Sequence, residues 1–447
     1  MPHERFRFKT LEDLMAKTKE LGLDLPADTD LSPLAQRVRI GDKWTPNALA
    51  IHPMEGCDGT ADGKPDELTI RRYVRFARGG AGLLWFEATA ILPEGRANPR
   101  QLWLSPENAG AFAALRERAL AEGREANGPD YQPFTVLQLT HSGRYSRPVD
   151  KPRPVIAHHD GLLDQAQKLP PDYPLISDDE LDRLPDQYLQ AARLAHNCGF
   201  DGVDIKSCHR YLLSELLAAH TRPGRYGGSF ENRTRLLLNI VRRVRAELPD
   251  QLITLRLNVY DAHPYPWGWG VDKEDPTVPD LTEPLRLIGL LQKAGVSLIN
   301  VTVGNPYFTP HINRPFDMNV VGGYTPDEHP LVGVARMIHL TRRIKQVYPD
   351  MVIVGSGYSW LRHYLGNVAA AVLRKGWADI VGAGREAFAY PDFARDLLTT
   401  GQMNRRNTCI ACSRCTQIMR DHGRAGCVPF DKEVYGPIYD EGRKAHA

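Results

Sequence analysis

Short apolar runs recur along this chain, separated by longer stretches with helical spacing. The runs are Leu49–Ile51, Leu83–Glu87, Thr135–Leu139, Gly202–Ile205, Leu252–Leu257, Leu298–Val303, Met351–Val354 and Asp379–Val381. Each reads as a strand. Between them, Asn232–Leu248 puts Leu236, Leu237, Ile240, Val241 and Val244 on one helical face, and Leu281–Ala294 does the same with Leu281, Leu285, Ile288 and Leu291. Strands that alternate with helices pair in parallel, because each return needs a crossover. The fold class predicted is α/β, a (β/α)8 TIM barrel with a C-terminal cysteine-rich extension. An open doubly wound sheet fits less well: no GxGxxG follows the first strand and no Walker sequence is present.

Several segments stand outside this pattern. Residues 1–40 read as a polar helical lead-in to a barrel spanning 1–400, and 401–447 as the extension. Tyr145–Pro174 carries six prolines, so it is neither one helix nor a central strand. Asp261–Asp280, with Trp267 and Trp269, is a second excursion. Both follow strand ends, and they either cover a barrel mouth or form plain surface loops. Tyr260, Tyr265, Trp267, Trp269, Tyr358 and Trp360 either line a pocket there or pack. Asp431–Arg443 mixes acids and bases and reads as a solvated, frayed end.

Composition narrows the class. The 447 residues are 42% hydrophobic and 25% charged, which is a soluble globular balance and excludes disordered, collagen-like or coiled-coil chains. Fifty-six Lys and Arg against 54 Asp and Glu leave +2, so charge gives no case for nucleic acid or an anionic membrane. No run approaches the roughly 20 apolar residues of a membrane helix. The start, MPHERFRFKTLEDL, lacks the apolar core of a signal peptide, so the cytoplasm is expected. Seven cysteines, four of them clustered near the C-terminus, speak against a secreted disulfide framework.

Barrel chemistry sits at the carboxyl ends of the strands. The first strand leads into His52-Pro53-Met54-Glu55-Gly56-Cys57, and the second into Ala88. The third ends in QLTHSGR from Gln138, and the fourth in DIKSCHRYLL, with Lys206, His209 and Tyr211. Arg256 ends the fifth, Gly357 follows the seventh, and Gly384-Arg385 follow the eighth. Glycines after the last two strands let backbone N–H groups reach an anion, and Arg385 adds a charge-assisted bond. With Gln138 and Arg256 also at strand ends, a phosphate-bearing cofactor is expected.

QLTHSGR, His209-Arg210-Tyr211, YGGSFENR and the closing GAGRE with Pro391-Asp392 resemble the Old Yellow Enzyme family, the NADH:flavin oxidoreductases, over roughly residues 30–400. The resemblance implies an FMN-binding barrel. By it, the backbone of His52, Pro53, Met54 and Glu55 packs on the isoalloxazine, Ala88 lies near the ring, and Gln138 meets the pyrimidine edge. Arg256 faces the side where reduced flavin gathers negative charge, and Gly357, Gly384 and Arg385 hold the phosphate. His209 binds the substrate's electron-withdrawing group and Tyr211 gives the proton. The family's first substrate-binding histidine is replaced by Lys206, which either holds the substrate or pairs with Asp204 or Glu87. Glu55 stands where some members carry a flavin-tuning cysteine.

Cys409-x2-Cys412-x2-Cys415-x11-Cys427 sets three thiolates within seven residues and a fourth nearby. Such a set converges on one ion or cluster at little loop-closure cost. Ligand type alone leaves zinc and iron–sulfur open. The resemblance favours 4Fe–4S, since 2,4-dienoyl-CoA reductase and trimethylamine dehydrogenase carry a cluster directly after their FMN barrel. Those enzymes continue into nucleotide-binding domains that are not expected here, so the electron donor is NAD(P)H or a separate electron-transfer protein. Cys57, Cys198 and Cys208 read as small buried thiols.

The leading expectation is reduction of an activated C=C bond in a small-molecule substrate. The alternatives are an amine or similar dehydrogenase that passes electrons from FMN through the cluster, and a non-catalytic flavoprotein or zinc-tied barrel. A homo-oligomer is compatible with the sequence.

Overall fold

The computed structural model describes residues 2–445. A short hairpin, β1 (Arg39–Ile40) and β2 (Lys43–Trp44), precedes eight parallel strands. These are β3 (Leu49–Ile51), β4 (Leu83–Ala90), β5 (Phe134–Thr140), β6 (Gly202–Ile205), β7 (Leu252–Asn258), β8 (Val296–Thr302), β9 (Val352–Gly355) and β10 (Ile380–Ala383). They close into a barrel as β10 pairs with β3. Every predicted strand is present, two with the expected bounds and the others with ends shifted by at most three residues. The runs are apolar because helices cover their outer faces while side chains fill the interior. The predicted helices form as Phe230–Glu247, capped by Ser229, and Thr282–Lys293.

The lead-in departs from a simple helix. Leu11–Glu20 is helical, closed by a Thr10–Asp13 capping box, but the hairpin follows it. Gly41 turns that hairpin at φ +63° and lies against Leu252, the first residue of β7. The hairpin therefore closes the amino-terminal end of the barrel and leaves the other rim open.

The two long excursions are pinned to each other. Arg210, after β6, donates from Nη2 to Asp160 at 3.0 Å and from Nη1 to Asp261 at 3.2 Å and to the Trp267 carbonyl at 2.8 Å. His263 Nε2 lies 2.9 Å from the same Asp160. All four side chains are buried, so these segments form a fixed cap. The aromatic set proves mostly to be packing: Tyr260, Trp269, Tyr358 and Trp360 are buried in the core, while Tyr265 is largely exposed.

The tail is a correction to the reading of a frayed end. Lys432–Ala445 is a helix. Tyr435 packs with Ile418, Ala425 and Val428, Asp431 pairs with Arg71 at 2.7 Å and Arg75 at 2.5 Å, and Arg443 pairs with Asp421 at 3.0 Å. Asp431 and Arg443 meet partners too distant in sequence for local pattern to reveal. The segment after residue 400 lies on the carboxyl rim: the Cys409 N–H donates to Glu386, and the Ala425 N–H to the Gly56 carbonyl at 2.6 Å. Among the described residues, no helix is long and apolar enough to cross a membrane.

Replacing Arg210 with Met leaves the buried Asp160 and Asp261 carboxylates without their cation. The expected cost is about 3–5 kcal/mol, read as a lower urea midpoint. An unchanged midpoint would show that something else holds the cap.

Candidate active site

Closure of the barrel brings the carboxyl ends of its strands around one cleft, lined by His52, Pro53 and Met54 after β3, Arg256 in β7, Ser356-Gly357 after β9 and Gly384-Arg385 after β10. It encloses about 760 Å³, counting its open mouth. Two glycines leave room for close neighbours or a left-handed turn. Gly357 has φ +99°, and a Cβ at Gly382 would overlap the His52 ring. Seven of the ten cofactor positions expected from sequence line this cleft, and so does His209.

Five nitrogens of the lining residues lack partners. His52 Nδ1, Arg256 Nε, Arg385 Nη1 and both Nη atoms of Arg314 are buried without a hydrogen bond. Among the described lining residues none is Asp or Glu. Burial and the neighbouring Arg385 lower the Arg314 guanidinium from its ordinary range. Two buried cations side by side without a counter-ion are unfavourable until an anion joins them. Arg314 and Asn313, in the loop after β8, were missed by sequence reading. Nothing local marks Arg314, because its function depends on Arg385, seventy-one residues away. His52 and His209 are held neutral, first by burial and then by Arg256.

His209 and Arg210 both adopt positive φ, at 64° and 59°. Two consecutive non-glycine residues in that region are strained. The ion pairs of Arg210 with Asp160 and Asp261 hold the turn, and His209 thereby reaches the cleft, where its Nε2 lies 3.3 Å from Asn313 Nδ2.

Lys206 and Tyr211 form a group with Glu55 instead. Lys206 Nζ is 3.3 Å from Glu55 Oε1 and 3.8 Å from the Tyr211 ring centre. The pairings considered for it, with Asp204 or Glu87, are thus corrected to Glu55. Asp204 is occupied by Gln138 Nε2 at 2.5 Å, Trp85 Nε1 at 3.0 Å and the Arg256 N–H at 2.7 Å. Glu87 is occupied by Arg72 and by the Gly56 N–H at 2.9 Å, which fixes the turn after β3. Burial raises the Asp204 carboxyl to about 6 against those hydrogen bonds. Burial, then Glu55, raises the Tyr211 phenol well above its ordinary value, so it remains protonated. Glu55, Ala88 and Gln138 do not line the cleft; Ala88 is buried in β4 and its carbonyl accepts from Gln101 at 2.9 Å.

Cys409, Cys412, Cys415 and Cys427 line one adjoining pocket, which shares Arg385, Phe388 and Cys415 with the cleft. All four are free thiols, and burial pushes Cys409 up to about 12. Among the described residues, no three His, Cys, Asp or Glu side chains converge closely enough to hold a single metal ion. Cys57, Cys198 and Cys208 are buried, as expected.

The chain matches the NADH:flavin oxidoreductase / NADH oxidase family over residues 34–267, just over half its length. It is 25% identical to the NADH oxidase of Thermoanaerobacter brockii, covering 84% of this chain and 52% of that protein, so it spans about half the length of that relative. It is 26% identical to the NADPH dehydrogenase of Bacillus subtilis, covering 80% of this chain and 92% of that one. Among solved structures, a 2-naphthoyl-CoA reductase in complex with 2-naphthoyl-CoA superposes with a TM-score of 0.70 at 19% identity, covering 94% of this chain and 59% of that chain. The rim geometry and the matched residues agree: this chain belongs to the NADH:flavin oxidoreductase / NADH oxidase family.

Proposed function

We propose that this chain is an FMN-dependent oxidoreductase that reduces an activated C=C bond, with NAD(P)H or an electron-transfer protein as reductant. The observation that carries the cofactor reading is the set of five buried, unpartnered nitrogens in a cleft free of carboxylates. FMN fits that donor set: Arg314, Arg385 and the glycine turns would hold its phosphate, and Arg256 and His52 would lie beside its ring. When bound, FMN supplies two-electron hydride chemistry. The names of the relatives, an NADH oxidase and an NADPH dehydrogenase, support a nicotinamide donor.

The chain's own residues supply the rest. Neutral His209 presents an imidazole to the electron-withdrawing group of the substrate. Tyr211 keeps its proton at neutral pH and gives it to Cα, a role suited to a buried general acid. Lys206 is matched by Glu55, so the pair is a near-neutral wall. The charge argument against a cationic amine donor therefore loses force, and the case for C=C reduction rests on Tyr211.

We read the four cysteines as ligands of a 4Fe–4S cluster. Ligand type alone leaves tetrahedral zinc as the alternative. The four thiolates lining one pocket beside the cleft are a donor set of the type that holds such a cluster. The residues shared between pocket and cleft support electron exchange between cluster and FMN.

Three outcomes test this reading. Arg314→Ala should weaken FMN binding by about 10–100-fold, the worth of a charge-assisted hydrogen bond, in fluorescence titrations of apoprotein; wild-type affinity would remove Arg314 from the phosphate site. Tyr211→Phe should slow reoxidation of the reduced enzyme by an activated alkene by about 10²–10⁴-fold and leave reduction by NAD(P)H unchanged in anaerobic stopped flow. Anaerobically purified protein should carry about four irons per chain with broad visible absorption, lost in Cys412→Ala. One zinc per chain would refute the cluster.

A further inference from the structure

Tyr211 is buried. Its side chain is 1% exposed, yet each reductive turnover would spend its proton. Its hydroxyl oxygen lies 2.8 Å from the hydroxyl of Tyr307, inside the usual range for such a bond. Glu55 Oε1 is farther, at 3.4 Å, and Lys206 Nζ sits over the ring face at 3.8 Å from its centre, away from the oxygen. Tyr307 follows β8 and is 45% exposed. It is nonetheless held in place. Its N–H donates to Asn305 Oδ1 at 3.0 Å, and its ring stacks on Tyr145 at 3.9 Å between centres. Asn305 Nδ2 in turn donates to the Tyr145 hydroxyl at 2.9 Å, which closes the bracket. Asn305 thus holds both members of the stack, and the partly exposed Tyr307 meets the buried phenol through its hydroxyl, which burial and then Glu55 keep protonated.

We propose that Tyr307 is the proton relay that recharges Tyr211 from solvent, an inference that rests on Tyr211 being the proton donor. The Tyr211 O–H bond breaks as its proton goes to the substrate Cα. The resulting phenolate takes the proton of the Tyr307 hydroxyl, and Tyr307 takes one from water or a buffer acid. Only protons move along this path, and the net proton comes from solvent. Tyr307 acts through Tyr211 and is a positioning and relay residue; Asn305 and Tyr145 hold it in register.

The relay makes a kinetic signature that packing would not. FMN-loaded Tyr307→Phe keeps the ring and its stack and removes only the transferable proton. In stopped flow with a panel of activated alkenes (an enone, an enoate and an enoyl thioester), its first reoxidation should match wild type, since Tyr211 begins protonated. With reductant raised until reoxidation limits the rate, continued turnover should fall by about tenfold or more and recover as imidazolium buffer is raised. Asn305→Ala, which releases the Tyr307 ring, should show the same buffer-sensitive defect. Turnover of Tyr307→Phe equal to wild type overturns the relay and leaves Tyr211 as donor. A first reoxidation as slow as later ones, unmoved by buffer, also overturns it and assigns Tyr307 a packing role. Wild-type protein that reduces none of the alkenes overturns the donor reading and the relay together.

Discussion

Closing a parallel sheet on itself is the constraint from which the site follows. When β10 pairs with β3, every strand's carboxyl end faces one rim, and groups at opposite ends of the chain become neighbours. The His52 N–H donates to the Ala383 carbonyl at 2.9 Å, and Ser356 Oγ lies 3.2 Å from His52 Nε2. Gly382 is the consequence: β10 runs so close beneath His52 that no Cβ is tolerated. The hairpin at the other end closes the floor, so ligands have one way in.

Charge separates the cleft from the rest of the interior. Elsewhere the most deeply buried arginines are matched: Arg72 by Asp58 and Glu87, Arg144 by Glu215 at 2.5 Å, Arg210 by Asp160 and Asp261. Burying an ion is tolerable only with such compensation. Arg314 and Arg385 break this pattern together and in one place, which is why their unsatisfied nitrogens point to a missing anion rather than to poor packing. Lys206 belongs to the compensated class. Its replacement of a neutral imidazole therefore brings little net charge, because Glu55 from the turn after β3 arrives with it.

Much of this was legible in one dimension. The strands announce themselves because burial on both faces demands unbroken apolar runs. Gly357, Gly384 and Arg385 are legible as cleft residues because they follow the last two strands, whose carboxyl ends the closed barrel brings to one rim. What stayed hidden depends on contacts across long separations. Glu55 and Lys206 are 151 residues apart, Tyr211 and Tyr307 are 96 apart, and no local pattern couples them. The tail helix was obscured for the same reason: alternating charges look solvated until Arg71 and Arg75 are seen beside Asp431.

The turn after β10 ties the cofactor cleft to the cysteine pocket. Arg385 lines both spaces, while the next residue, Glu386, is fully buried and accepts the Cys409 N–H at 3.1–3.2 Å. Burial raises the Glu386 carboxyl to about 8 against that hydrogen bond. Adjacent residues on one short helix thus face the cleft on one side and the cysteine loop on the other. Because Arg385 Nη2 is also fixed to the Pro315 carbonyl at 2.6 Å, next to Arg314, the loop after β8 is drawn into the same assembly. Displacing any one of these segments would move the cleft arginines and the cysteine loop together, so the two spaces are bound mechanically as well as by proximity.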